Sequence, residues 1–214
     1  KLWDTSAPVN DISPVFPGDT PYQQTWAATI GNACPVNVSR ITLSPHVGTH
    51  ADAPLHYDPE GQTIGAIDLN PYLGPCRVIH VLKGAPLITW DDLAHCIDAD
   101  LPPRVLVRTY TRMPQTAWDA SLRAYAPETL ERLAELGVVL VGIDTASIDP
   151  ADSKRLDSHQ VIRRGADALV VGAGRRRPAE AGTIGPAPRT RSGHARSSDP
   201  CGGSGRNDTR SPRP

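Results

Sequence analysis

Apolar and polar residues mostly alternate through Val36-Asn37-Val38-Ser39-Arg40-Ile41-Thr42-Leu43, the period of a strand. Arg77-Val78-Ile79-His80-Val81-Leu82 and Val105-Leu106-Val107 predict two further strands. After Pro127 the period lengthens. Leu130, Leu133, Ala134 and Leu136 form one apolar side of a helix, with Pro127 at an early helical position and Glu128 and Glu131 near its positive end. Gly137 supplies the stop. The unbroken run Val138-Val139-Leu140-Val141-Gly142-Ile143-Asp144 then reads as a buried central strand. Thr89 caps a short predicted helix through Trp90-Asp91-Asp92-Leu93-Ala94. The segment from Asp11 to Asp19 holds Pro14 and the Pro17-Gly18 pair, so it reads as a loop. Strands interspersed with helices predict an α/β fold with a mixed central sheet and helices outside it.

That patterning stops at Arg164. Residues 165–214 contain 9 Gly, 9 Arg and 6 Pro, with Ile184 the only sizeable aliphatic after Val171 and no aromatic or Lys. Such a stretch cannot bury enough surface to offset its ordering entropy, so it is expected to be a disordered tail beyond a domain of residues 1–164. Its composition is what a shifted reading frame of GC-rich DNA would yield; a natural flexible tail is the alternative. A basic RNA-binding tail is disfavoured, because no aromatic is interleaved with the arginines for base stacking.

Charge follows the same division. The first 164 residues carry 13 Lys+Arg against 19 Asp+Glu, and the remainder 9 against 4, giving −1 for the 214-residue chain. No global field marks a nucleic-acid partner, and no apolar run approaches the length that spans a bilayer. Cys34, Cys76, Cys96 and Cys201 form no CxxC pair, which suits free thiols in a reducing cytoplasm.

The chemistry concentrates in Ser44-Pro45-His46-Val47-Gly48-Thr49-His50-Ala51-Asp52-Ala53-Pro54-Leu55-His56, which holds three of the chain's seven histidines. His50, Asp52 and His56 share parity. On an extended chain they would face one way, with adjacent same-face residues about 6.6 Å apart. Imidazoles and a carboxylate at that reach suit Zn²⁺, with Mn²⁺ or Fe²⁺ as alternatives. Gly48 allows a turn that folds His46 back onto the same ion.

The pattern His46-x-Gly48-Thr49-His50-x-Asp52-x-Pro54-x-His56 resembles the signature of the cyclase-like metal hydrolases. Phe16-Pro17-Gly18-Asp19, the segment from Gly142 to Pro150 and Leu156-Asp157-Ser158-His159 are similar to the family's bacterial arylformamidase branch. The resemblance implies a swivelling β/β/α fold and a homodimer. It further implies hydrolysis of N-formyl-L-kynurenine to L-kynurenine and formate, a step of tryptophan breakdown. His46, His50 and Asp52 would hold a first zinc, Asp52 and His159 a second, His56 would move protons, and Phe16 would touch the substrate. A cyclic amide such as isatin is an alternative substrate, and an inactive metal-binding homologue an alternative role. His80, His95 and His194 match nothing and are read as structural.

One departure matters. The family places a glutamate of the second metal site twelve residues after the position of His159, and this chain has Val171 there. The resemblance therefore predicts a weakened second site and, with the change in composition, the loss of a core strand.

Overall fold

A computed structural model of the chain describes residues 6–165 and the backbone of 170–173. Its centre is a five-stranded sheet in the order β3-β9-β8-β6-β4. These strands are β3 (His50–Ala51), β4 (Arg77–His80), β6 (Arg104–Arg108), β8 (Leu140–Ile143) and β9 (Val170–Ala173). Strands β4, β6, β8 and β9 run parallel, and β3 pairs antiparallel with β9. The sheet is mixed, as the patterning predicts.

Sequence explains the positions. Every residue of β8 is buried, as an unbroken apolar run requires of a central parallel strand. In β6, Val105 and Val107 are buried and Arg104, Leu106 and Arg108 half-buried, the period of two. The core joins these strands to Leu130 and Leu133 of α2 (Pro127–Glu135) and to Val161 and Ile162 of α3 (Asp157–Arg164). Leu93 of α1 (Trp90–Leu93) completes it, with the Thr89 N–H donating to Asp92 Oδ2 at 2.8 Å at the helix start. Helix α2 ends as expected, with Gly137 at φ +79°. Leu136, expected on its apolar side, is 53% exposed, because it sits at the C-cap, where the helix has already ended.

Beside α1, β5 (Leu87–Ile88) pairs in parallel with β7 (Ala124–Tyr125). A separate unit, Gln24–Ile41, is built on the two-stranded sheet of β1 (Gln23–Ala28) and β2 (Val38–Thr42).

The expected loss of a core strand does not hold. Val170–Ala173 lies between β3 and β8, with Val171 opposite Val141. The remainder of the expected tail, with Cys201 and His194, falls outside the described residues. No disulfide joins Cys34, Cys76 or Cys96. Among the described residues, no helix is long and apolar enough to cross a membrane.

Candidate active site

The histidine-rich segment does not run extended from end to end. The backbone turns and bends from Pro45 to Thr49, with Gly48 at φ +80°, where an added Cβ would stand 2.5 Å from the Val9 side chain. Only glycine fits both constraints. The turn brings His46 Nδ1 within 3.1 Å of His50 Nε2. Then β3 gives way at Pro54 to a 3-10 turn, Pro54–His56. His56 therefore reaches the site by a turn rather than by the strand parity used to predict it. Pro54 both opens this turn and lacks the N–H that a continued ladder would use. Gly61 braces it: an added Cβ there would lie 2.4–2.6 Å from the backbone of Pro54 and Leu55.

Asp52 is buried at the meeting point. Its Oδ1 lies 3.1 Å from His46 Nδ1 and 3.3 Å from His50 Nε2, yet has no hydrogen-bond partner. His50 Nδ1 is 3.0 Å from the Gly48 carbonyl, so its N–H donates there and Nε2 carries a bare lone pair toward Asp52. Three electron-rich atoms this close repel one another unless a proton or a cation lies among them. Tetrahedral zinc with bonds of about 2.0–2.1 Å separates its ligands by about 3.3 Å, close to the spacing here. The residues present fit a metal.

A second group shares Asp52. Donor atoms of Asp52, His56 and His159 lie within 4.8 Å of one another, as do those of His46, His50 and Asp52. His159 Nε2 stands 3.9 Å from Asp52 Oδ2, an ion-pair distance rather than a hydrogen bond. Its other nitrogen, Nδ1, donates to Asp149 Oδ2 at 2.6 Å. That bond leaves Nε2 facing Asp52, the carboxylate–histidine arrangement that aims an imidazole at a metal.

Asp149 also holds the helix that carries His159. It accepts the N–H of Ser158 at 2.8 Å and of His159 at 3.1 Å, the first-turn donors of α3. The residue at the N-cap, Leu156, has no acceptor side chain and sits in the left-handed region at φ 53°. Asp149 thus supplies from a distance the cap that Leu156 cannot.

The electrostatics follow from burial and these partners. Burial alone would raise Asp52, but the facing imidazoles of His159, His50 and His56 outweigh that and hold it well below the usual carboxylate range. Burial of His159 disfavours its charge, yet Asp149 and Asp52 outweigh that and raise it to about 9 in the metal-free chain. His56 moves the other way: burial lowers it, and the neighbouring histidines add to that against the pull of Asp52. Both effects favour the neutral form of His56.

A cavity opens beside His46 and His50. Phe16 forms one wall, its ring 5.0 Å from Trp118 edge to face. The Phe16 loop is tied to the metal-donor segment through the Ser44 N–H, which donates to the Thr20 carbonyl at 3.0 Å. Tyr110, Asp119 and Asp144 line the same cavity. Every residue singled out from sequence thus lies in this region: His46, His50, Asp52, His56 and His159 at the donor cluster, and Phe16 on the cavity wall. Sequence reading gave no role to Asp149, Trp118, Tyr110 or Asp119. Asp149 lies within one of the quoted motifs, but its bond to His159 exists only once α3 is in place.

Comparison with known proteins fits this geometry. A family model described as "Putative cyclase" matches residues 3–150. The chain belongs to this cyclase family. Its relatives include the kynurenine formamidase of Paracidovorax citrulli (strain AAC00-1), 70% identical over 166 residues that span 76% of this chain and 77% of the relative. The kynurenine formamidase of Delftia acidovorans (strain DSM 14801 / SPH-1) is 67% identical over 164 residues, 77% of this chain and 78% of its own. Among solved structures, a potential metal-dependent hydrolase with cyclase activity superposes with a TM-score of 0.67, at 29% identity over 82% of both chains. An isatin hydrolase bound to a product analogue shares the fold at a TM-score of 0.60 and 19% identity, over 79% of this chain and 77% of its own.

Proposed function

We propose that this chain is an arylformamidase that hydrolyses N-formyl-L-kynurenine to L-kynurenine and formate with the help of a bound metal. The observation that carries the reading is the partnerless Asp52 Oδ1 set between His46 and His50 beside a cavity with an aromatic wall. Identity of 70% and 67% to two kynurenine formamidases supports the choice of substrate.

His46, His50 and Asp52 would hold the first zinc, and Asp52 with His159 a second; two imidazoles and a carboxylate suit Zn²⁺, and Mn²⁺ is the alternative. When bound, the metal supplies Lewis-acid polarisation and acidifies water near neutral pH. The protein's own groups do the rest. Phe16 and Trp118 receive the aryl ring in the cavity. His56, neutral and partly open to solvent, takes the proton from the attacking water and returns it to the anilide nitrogen as the C–N bond breaks. Positioned proton transfer of this kind contributes about 10²–10⁴-fold. Asp149 keeps the His159 proton on Nδ1, away from the site. On the family resemblance we also assign a homodimer and a cytoplasmic location.

The test is turnover of N-formylkynurenine and of isatin by the purified chain, with metal measured in the same sample. Formamide hydrolysis that a chelator abolishes and zinc restores supports the reading. Turnover of isatin alone would transfer it to cyclic amides, and bound metal without turnover of either would mark an inactive homologue.

A further inference from the structure

The cavity contains a carboxylate that the hydrolysis does not use. Asp119 lines it beside Trp118, which makes the aromatic wall with Phe16. Its orientation is fixed from two sides. Oδ1 accepts the Ser121 N–H at 2.9 Å and the Ser121 hydroxyl at 2.6 Å, and Oδ2 accepts the Tyr110 hydroxyl at 2.6 Å. Each carboxylate oxygen has room for two donors, so Oδ2 retains one open acceptor position. Asp144, the other acid on the wall, accepts as many hydrogen bonds but differs in burial, since Asp119 is only half-buried. Asp144 is buried and takes the N–H and hydroxyl of Thr109 and the N–H of Tyr110, which tie the end of β6 to the end of β8.

No Lys or Arg is among the described residues lining the cavity. A fixed carboxylate on such a wall is matched by a cationic group on the ligand. The ligand class already proposed has one: an amino acid whose aryl formamide ends in an aliphatic arm bearing an ammonium.

We propose that Asp119, held by Tyr110 and Ser121, binds the α-ammonium of the substrate and makes the enzyme selective for aryl formamides that are amino acids. The inference rests on the formamidase reading and adds the group that chooses among formamides. Tyr110 acts as a positioning residue through its hydrogen bond to Asp119. Hydrogen bonds to charged groups are stronger than neutral ones, so the interaction is expected to contribute about tenfold or more to selectivity.

Two measurements test it. In the first, kcat/KM for N-formylkynurenine is compared with that for the analogue in which hydrogen replaces the α-amino group. Asp119→Asn should lower the ratio of the two at least about tenfold, and Tyr110→Phe should lower it to a smaller degree with the change mainly in KM. An unchanged ratio in Asp119→Asn overturns the assignment, even where both rates fall. In the second, which needs no variant and survives a failure of Asp119→Asn to fold, two product analogues without the carboxylate compete with substrate in the wild-type enzyme. One carries the aliphatic ammonium (kynuramine) and the other does not (2-aminobutyrophenone). Tighter inhibition by kynuramine supports the subsite, and equal inhibition refutes it. If neither formamide is turned over, the formamidase reading itself fails, an outcome distinct from turnover without discrimination.

Discussion

Replacing Asp149 with asparagine removes one charge and leaves the number of heavy atoms unchanged, yet it strikes the part of the site that the sequence leaves without a role. Asp149 is 2% exposed and accepts three hydrogen bonds, from the N–H groups of Ser158 and His159 and from His159 Nδ1. An amide has one acceptor end. If its oxygen faces His159, its NH₂ confronts the Ser158 N–H; if it is reversed, two His159 donors are opposed. The milder case leaves buried donors unmatched at about 1–3 kcal/mol and forfeits the added strength of charged bonds, so about 2–4 kcal/mol of stability should be lost. The reversed case also favours the other His159 tautomer, with a proton on Nε2 where the metal needs a lone pair. Loss of such an orienting partner lowers metal affinity about 10–100-fold. Urea unfolding of chelator-treated protein reads the first number and competition with a chromophoric chelator the second. Wild-type zinc affinity in Asp149→Asn would refute the reasoning for His159, and a stability loss alone would leave Asp149 as no more than the cap of α3.

Three further outcomes follow from the same structure. Gly61→Ala should push the Pro54–His56 turn, because its Cβ would stand 2.4–2.6 Å from backbone atoms of Pro54 and Leu55; turnover should fall more than zinc content, and equal falls would contradict a specific effect on His56. A chain ending after Ala173 should bind metal, whereas one ending at Arg164 lacks β9, detaches β3 and should not; zinc measurements on both decide it. In metal-free protein, His159 is raised to about 9, so its stabilisation is complete below the ordinary histidine value of 6.5 and is lost as pH rises through about 9. His50 shifts in the same direction and His56 against it. Chelated protein should therefore lose stability from pH 6 to pH 9, and a rise or a flat profile in urea midpoints would contradict the ion pairs.

Where local signals and tertiary context agree, the sequence is readable. Helix α2 and strand β8 are legible because Pro127, Gly137 and the run from Val138 to Ile143 specify start, stop and burial in one place. The donor cluster is legible from its crowding of histidines, but the route to His56 is not read correctly, since parity was carried past Pro54 into a 3-10 turn. Strand β9 is hidden for a different reason. Val170–Ala173 is four residues in a Gly- and Arg-rich stretch, and its strand character comes from the neighbours β3 and β8 rather than from any period of its own. The pairs β5–β7 and Asp149–His159 are likewise set by contacts between distant segments.

The place of β9 has a consequence for the making of the protein. Ribosomes deliver the chain from its N-terminal end, so His46, His50, Asp52 and His56 emerge early, while the strand that fastens His50 to the sheet emerges after every other described strand. Until then β3 has no partner in the sheet, and the long loop to β9 must close at an entropic cost that slows its arrival. Loading of the proposed metal centre would therefore fall late in the protein's biogenesis: its first donors leave the ribosome on an unfastened, histidine-rich segment, which joins the sheet only when the last described strand slides in between β3 and β8.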